Sequence, residues 1–457
     1  MEISGIISRF SHAEHPIPTS HPSQPERMNA VQRLLSGAVK ILRSHLDSER
    51  FFWRALVEAA YIANQFCFAL LFPVYLLQNI GDTAKIRKMK LRKNDGSLLA
   101  FEMETKFFFA NYEPLYDELK TKHRVYFIIP DFRRADLKEY LLSKGVPEDR
   151  ILGSSWAFFV PWDLYMNCWI PYYFPSVLDR RSSTTKVQMF HGIGTAILRK
   201  HHHLAFNDKR RRKIRQFNVQ FMIGPSYKRL QDSHPQIRWC KIGYPKLDRL
   251  FNGTSDLSVR KEFALKEGRP TIVYAPHHNA MLSLHTYGLG VVEALLRLDA
   301  NVIVKLHHEI LFPGHPLHWV RDALQTMQQN NDRLFLAKEE DSTLYYPLAD
   351  AVVTDVGTSA AFEAVICGKP TVLLYNEHWF EKYGKDNPEF EILALCESVH
   401  ALDQLPEAME RSLSLPQEEV ARRRHKAEKW YYNPGTATQA AVAEIEQLLE
   451  ERRKNDK

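Results

Sequence analysis

The chain has 457 residues, is 45% hydrophobic and 25% charged, and carries a formal net charge of +7. That length accommodates two domains plus an extra segment, and the composition is that of an ordinary globular protein. The five cysteines form no C-x-x-C pair, which excludes a disulfide framework and a structural zinc site and points to a reducing compartment.

In chain order, the first residues lack a charged n-region followed by an apolar core, so no secretory signal peptide is expected. Residues 1–30 are polar, proline-bearing and without periodicity, and are expected to be disordered. Val31–Glu58 has helical spacing. No charge interrupts Ala59–Ile80, a length close to the ~20 residues that span a hydrocarbon core. It is followed by Lys85–Lys93, KIRKMKLRK, with six basic residues in nine. Residues 31–97 therefore read as a helical, apolar-then-polybasic membrane-associating segment, suited to an anionic surface on the cytoplasmic face of the cell membrane. A buried helix with a solvated basic loop is the alternative.

From Leu98 the pattern alternates strand and helix. Expected strands are Lys106–Ala110, Arg124–Ile129, Ser155–Val160, Thr185–Phe190, Gln220–Ile223 and Trp239–Ile242, with helices at Pro114–Lys120 and Asp136–Lys144. Asn252–Arg269 is polar and reads as a linker. The rhythm resumes with strands at Thr271–Tyr274, Val302–Leu306 and Arg333–Leu336, and with helices at Thr286–Leu298, His318–Gln328 and Ser342–Leu348. This βαβ repetition predicts an α/β protein of two Rossmann-like domains, residues 98–255 and 265–435, facing across a cleft. Residues 436–457 read as a C-terminal amphipathic helix with a charged, frayed tail.

The most informative stretch is Ala351–Tyr375, AVVTDVGTSAAFEAVICGKPTVLLY. It reads as a buried strand, a turn, a helix capped by Thr358 or Ser359, and a second strand. Free N–H groups and the positive end of the helix dipole attract phosphate. Glu363 lies one turn further on the same face, within reach of a sugar. An ordinary capped helix has the same pattern. His191 ends a strand ahead of Gly192 and Gly194, placed to take a proton from an alcohol. Lys305 and His307 end another strand and suit a diphosphate. His277, His278 and Asn279 follow Thr271–Pro276 at the cleft edge, as donor-pocket or loop residues. Metal binding by His307, His308 and Glu309 is disfavoured, because adjacent residues of an extended chain point to opposite faces. The basic run around His201–His203 lacks stacking aromatics, so nucleic acid is not an expected partner.

Six pieces then fall in one order: Phe190–Gly192, Gly224–Leu230, Gly243–Asp248, Tyr274–Pro276, Lys305–His307 and Thr354–Pro370. Across roughly Phe108–Leu449 this order resembles the CDP-glycerol glycerophosphotransferase family, the teichoic-acid primases and polymerases of bacterial walls. The resemblance implies a GT-B fold with the donor on the second domain. It implies His191 and His307 as catalytic residues and Lys305, Thr358, Ser359, Glu363, His277, Asn279, Gly243 and Pro245 as donor-binding. Where the family has a lysine after the His-Gly pair this chain has Ala196, leaving Arg199 or Lys200 to face the acceptor or lipid. His277, Asn279, Lys305 and His308 also depart from the family pattern.

The reading is a transferase moving an alditol phosphate from a CDP-activated donor to a hydroxyl of a glycan or lipid-linked acceptor in cell-envelope polymer synthesis. It needs no cofactor or metal. A glycosyltransferase using a UDP- or GDP-sugar, and a non-catalytic membrane-bound protein on a decayed transferase fold, are the alternatives.

Overall fold

The computed structural model describes residues 70–91, 96–168, 184–192, 216–254, 257–311, 314–383 and 389–455. Residues 1–30, most of the expected membrane-associating segment, Arg199 and Lys200 lie outside these. Among the described residues no helix is long and apolar enough to cross a membrane.

Two parallel sheets organise the chain. The first has seven strands in the order β3-β2-β1-β4-β5-β6-β7. These are β1 Leu98–Glu102, β2 Arg124–Ile129, β3 Ile151–Gly153, β4 Leu164–Asn167, β5 Thr185–Met189, β6 Val219–Met222 and β7 Arg238–Lys241. The second runs β10-β9-β8-β11-β12-β13. Its strands are β8 Thr271–Ala275, β9 Asn301–Val304, β10 Leu334–Leu336, β11 Ala351–Asp355, β12 Thr371–Leu374 and β13 Glu397–Val399. The sequence explains the arrangement. Strand β2 is buried along its whole length, the unbroken apolar run that a strand covered on both faces requires.

Two expected strands are helical. Lys106–Ala110 leads into helix α2, Phe107–Leu119, which follows helix α1, Asp82–Leu91. The aromatic run has high strand propensity, but Phe108, Tyr112, Leu115 and Leu119 are buried at helical spacing, and that face packs on the sheet. Ser155–Val160 begins within a short helix, Ser154–Ala157. There Asp131 accepts from the Ser154 and Ser155 hydroxyls and from the Ser155 N–H, which fixes a turn instead of a ladder. The expected Thr286–Leu298 helix breaks at Gly288, and Ser342–Leu348 is two 3₁₀ turns separated at Tyr345.

Helix α3, Arg134–Ser143, covers β2 and β3. In the second half, helix α4, Ser359–Ile366, packs on helix α5, Gln417–Glu428. The chain then returns to the first sheet through helix α6, Ala437–Asn455, whose Ala441, Ile445, Leu448 and Leu449 join that sheet's core. The expected frayed tail is thus helical to Asn455, with Arg452 on Asp163 at 3.2 Å and Arg453 on the Ser97 hydroxyl at 3.1 Å. The crossover lies tight against the first half. Tyr432 N–H donates to the Ile223 carbonyl at 2.9 Å. A Cβ on Gly224 would run into the Trp430 carbonyl. Gly224→Ala is therefore expected to cost about 2 kcal/mol or more in stability, measured by urea denaturation.

Candidate active site

The carboxyl edges of both sheets open on one cleft of about 950 Å³, open solvent included. His191 lines it from the first half, and His277, Lys305, His307, Thr358, Ser359 and Glu363 from the second. The two histidines expected to do chemistry therefore share one opening beside Ser359. A Cβ on Gly192 would lie 3.3 Å from the Ser359 side chain, so glycine lets the halves approach here.

Hydrogen bonds hold His191 and the residue after it. The His191 Nδ1 donates to the Cys168 carbonyl at 3.1 Å, which leaves the lone pair on Nε2. The buried Tyr244 hydroxyl donates to the His191 carbonyl at 2.6 Å. Tyr227 does the same to the Gly192 carbonyl. Burial, with Lys246 adding to it, pushes the imidazole down to about 4 against the bond to Cys168.

On the facing sheet, Asp355 at the end of β11 ties down the loop after β8. It accepts from His277 N–H at 2.8 Å and Ser283 N–H at 2.9 Å, and burial pushes its carboxyl up to about 6. That loop brings His277 and His278 against His307, with ring centres 5.1 and 4.2 Å from it. His308 stacks on His307 at 4.3 Å. Burial, then the neighbouring imidazoles and Lys305, hold His307 well below its ordinary value. Burial also brings the Lys305 ammonium down to about 8.

Gly357, at φ +76, turns the chain from β11 into α4, and a Cβ there would strike the Trp379 ring. The Thr358 hydroxyl accepts from Ala360 N–H at 2.8 Å and so serves as the helix cap. Ser359 is left to face the cleft. Glu363 is buried and already engaged, with Lys246 at 2.9 Å and the Ser342 hydroxyl at 3.2 Å.

Asn279, Gly243 and Pro245 do not line the cleft as donor ligands. Asn279 shapes the loop, its N–H donating to His277 Nδ1 at 3.0 Å. Gly243 and Pro245 shape the turn that carries Tyr244 and Lys246. Phe107, Tyr227 and Lys246 also line the cleft; of these only Lys246 was matched to a family motif, and none was assigned a role at the site. The available signal was weak: an aromatic at a helix start, a tyrosine in a proline turn, and a lysine inside the Gly243–Asp248 motif.

His277, His278 and His307 place ligand-capable atoms within 4.8 Å of one another. Backbone N–H groups donate to Nδ1 of His277 and, from Glu309 at 3.2 Å, of His307. A metal-bound imidazole needs a proton on its other nitrogen and an acceptor facing it. These two rings face donors instead, so their protons sit on Nε2, an arrangement that suits phosphate oxygens better than a cation.

Residues 87–447 match the family described as CDP-Glycerol:Poly(glycerophosphate) glycerophosphotransferase. The chain belongs to this family. It is a CDP-glycerol glycerophosphotransferase-like enzyme. Among curated proteins none matches it significantly in sequence. Among solved structures, the wall teichoic acid polymerase TagF is similar at a TM-score of 0.55 and 14% identity, over 84% of this chain and 98% of that one. A Listeria monocytogenes protein described as a UDP-N-acetylglucosamine 2-epimerase is similar at 0.55 and 14%, over 78% and 97%. These likenesses establish a GT-B fold for this glycerophosphotransferase-family enzyme.

Two outcomes follow from the site. Tyr244→Phe is expected to lower the transfer rate by roughly tenfold to a hundredfold in steady-state assays, with nucleotide affinity retained, because the His191 backbone loses its tether. The second concerns acid. His191 titrates near 6.5 when unfolded and near 4 when folded, so the folded chain binds fewer protons between those values. Its contribution is present above about 6.5 and is lost as pH falls towards 4. Thermal melts at pH 7 and pH 5 are expected to show a larger drop for the wild type than for His191→Asn.

Proposed function

We propose that this enzyme transfers glycerol phosphate from CDP-glycerol to a hydroxyl of a glycan or lipid-linked acceptor in cell-envelope polymer synthesis, at the cytoplasmic face of the membrane. The observation that carries this reading is the opposed pair of imidazoles. His191 presents a lone pair, and His307 a proton, across one cleft in a chain of the CDP-glycerol family. A variant of TagF was soaked with CDPG, which makes that donor the natural first candidate here.

In this reaction the acceptor oxygen loses its proton to His191 Nε2 and forms a bond to the β-phosphorus. The bond from that phosphorus to the bridging oxygen breaks, and CMP leaves with the electron pair. Lys305, the Nε2–H of His307 and the Ser359 end of α4 stabilise negative charge on the diphosphate. Glu363, held by Lys246, accepts from the ribose hydroxyls. Arg199 and Lys200 contribute to the acceptor or lipid side.

His191→Ala is expected to reduce transfer to background while calorimetry still detects donor binding; transfer at the wild-type rate would remove the base assignment. Thermal shifts with CDP-, UDP- and GDP-linked donors address the substrate. Stabilisation by CDP-glycerol is expected, and stabilisation by a UDP-sugar alone would favour a glycosyltransferase.

A further inference from the structure

We infer that a second anion site, built for a phosphate group, lies at the amino edge of the first sheet, between α1 and strands β2 and β3. It is remote from the cleft, because the strands of a parallel sheet all point their carboxyl ends one way. Arg124 is the first residue of β2 and Arg150 immediately precedes β3. With Lys85 and Lys88 of α1 they line a hollow of about 290 Å³, open solvent included.

Among the described residues, the lysines of this hollow are paired with carboxylates, and the arginines are not. Arg124 is 6% exposed, and its guanidinium is held by carbonyls alone, Met89 at 2.9 Å and Gly96 at 3.1 and 3.3 Å. The Arg150 guanidinium lies 5.0 Å over the Tyr126 ring, and its Nη1 is buried with no hydrogen-bond partner. Among the described residues neither arginine has a carboxylate partner. Lys85 pairs with Asp82 at 3.2 Å, but Asp82 is already gripped by Arg134 at 2.7 Å. Asp149, the one carboxylate lining the hollow, pairs with Lys88 at 3.2 Å. Leaving the buried Nη1 of the half-buried Arg150 without an acceptor is costly, and an anion removes that cost. Several acceptor oxygens on one centre match the unpartnered Arg150 donor, with Lys85 and Lys88 beside it, better than a single carboxylate does, which selects a phosphate monoester or diester.

Two sources carry that chemistry. One is a lipid headgroup, favoured by Leu77 and Ile80, which are 70% and 60% exposed just ahead of α1. The other is a soluble phosphate or a phosphodiester polymer. This site does not depend on the transfer reaction proposed above.

The test uses the full chain with inorganic phosphate as probe, against chloride at equal ionic strength, read by thermal shift. Arg150→Gln and Lys88→Gln are compared with the wild type and with Lys305→Ala, which alters only the cleft; circular dichroism verifies that each folds. A saturable phosphate response weakened roughly tenfold in Arg150→Gln and reduced in Lys88→Gln, yet kept in Lys305→Ala, is expected. Equal responses in wild type, Arg150→Gln and Lys88→Gln would overturn the site, as would a response lost only in Lys305→Ala. Co-sedimentation with phosphatidylglycerol and phosphatidylcholine vesicles then separates the sources. Phosphatidylglycerol-selective binding that falls in Arg150→Gln assigns the lipid, and an Arg150-dependent phosphate response without vesicle binding assigns the soluble anion.

Discussion

The cleft depends on an ion pair buried between the two halves. Lys246, in the turn after β7, meets Glu363 of α4 at 2.9 Å, with the two side chains 1% and 2% exposed. Asp341 of the second half extends the network, lying 3.8 Å from Lys246 and 2.6 Å from Arg249. Burial alone would raise the Asp341 carboxyl, but the two cations outweigh it and hold it below its ordinary value. Such a pair adds little net stability, since desolvation offsets most of the attraction; removing one partner strands a buried charge at a cost of about 3–5 kcal/mol. Its role is registry. In the arrangement where lysine and glutamate meet, Gly192 lies against Ser359.

Registry then carries into the aromatic layer. Phe107 lies under Lys246 at 4.9 Å, stacks flat on His308 at 5.3 Å, and meets His191 edge-on at 5.7 Å. One ring from the first half therefore touches the cation that joins the halves and an imidazole of each. Local backbone chemistry gives those imidazoles opposite character. A carbonyl faces His191 Nδ1, whereas an N–H faces His307 Nδ1. The same residue type is thus a proton acceptor on one side and a proton donor on the other.

Much of this was legible in the chain, for stated reasons. Strand β2, RVYFII, leaves no alternative to a buried strand, and Ala351–Leu374 was read nearly to the residue because glycine, cap and apolar run agree. His191 and His307 stood out because each ends such a strand. Phe107–Ala110 was misread because aromatic residues suit strands by propensity, while its burial at helical spacing becomes plain only over the longer stretch to Leu119. Lys246 was legible only as part of the Gly243–Asp248 motif, because its role depends on Glu363, more than a hundred positions away. The apolar spacing of α6 announced a helix, but not that it would cross back to the first sheet.

The low proton affinity of His191 bears on the order of events. With its imidazole near 4, the empty cleft offers a poor base for an alcohol. Burial is the larger cause of that depression and Lys246 a smaller one, so a diphosphate beside Lys246 would offset only the cationic part of it. In the proposed reaction the donor's charge therefore works in favour of His191 as base. Lys305, near 8 and buried, responds in the same sense, since a nearby anion favours its protonated form. In the proposed reaction both cations of the cleft thus link proton abstraction at His191 to the charge of the donor.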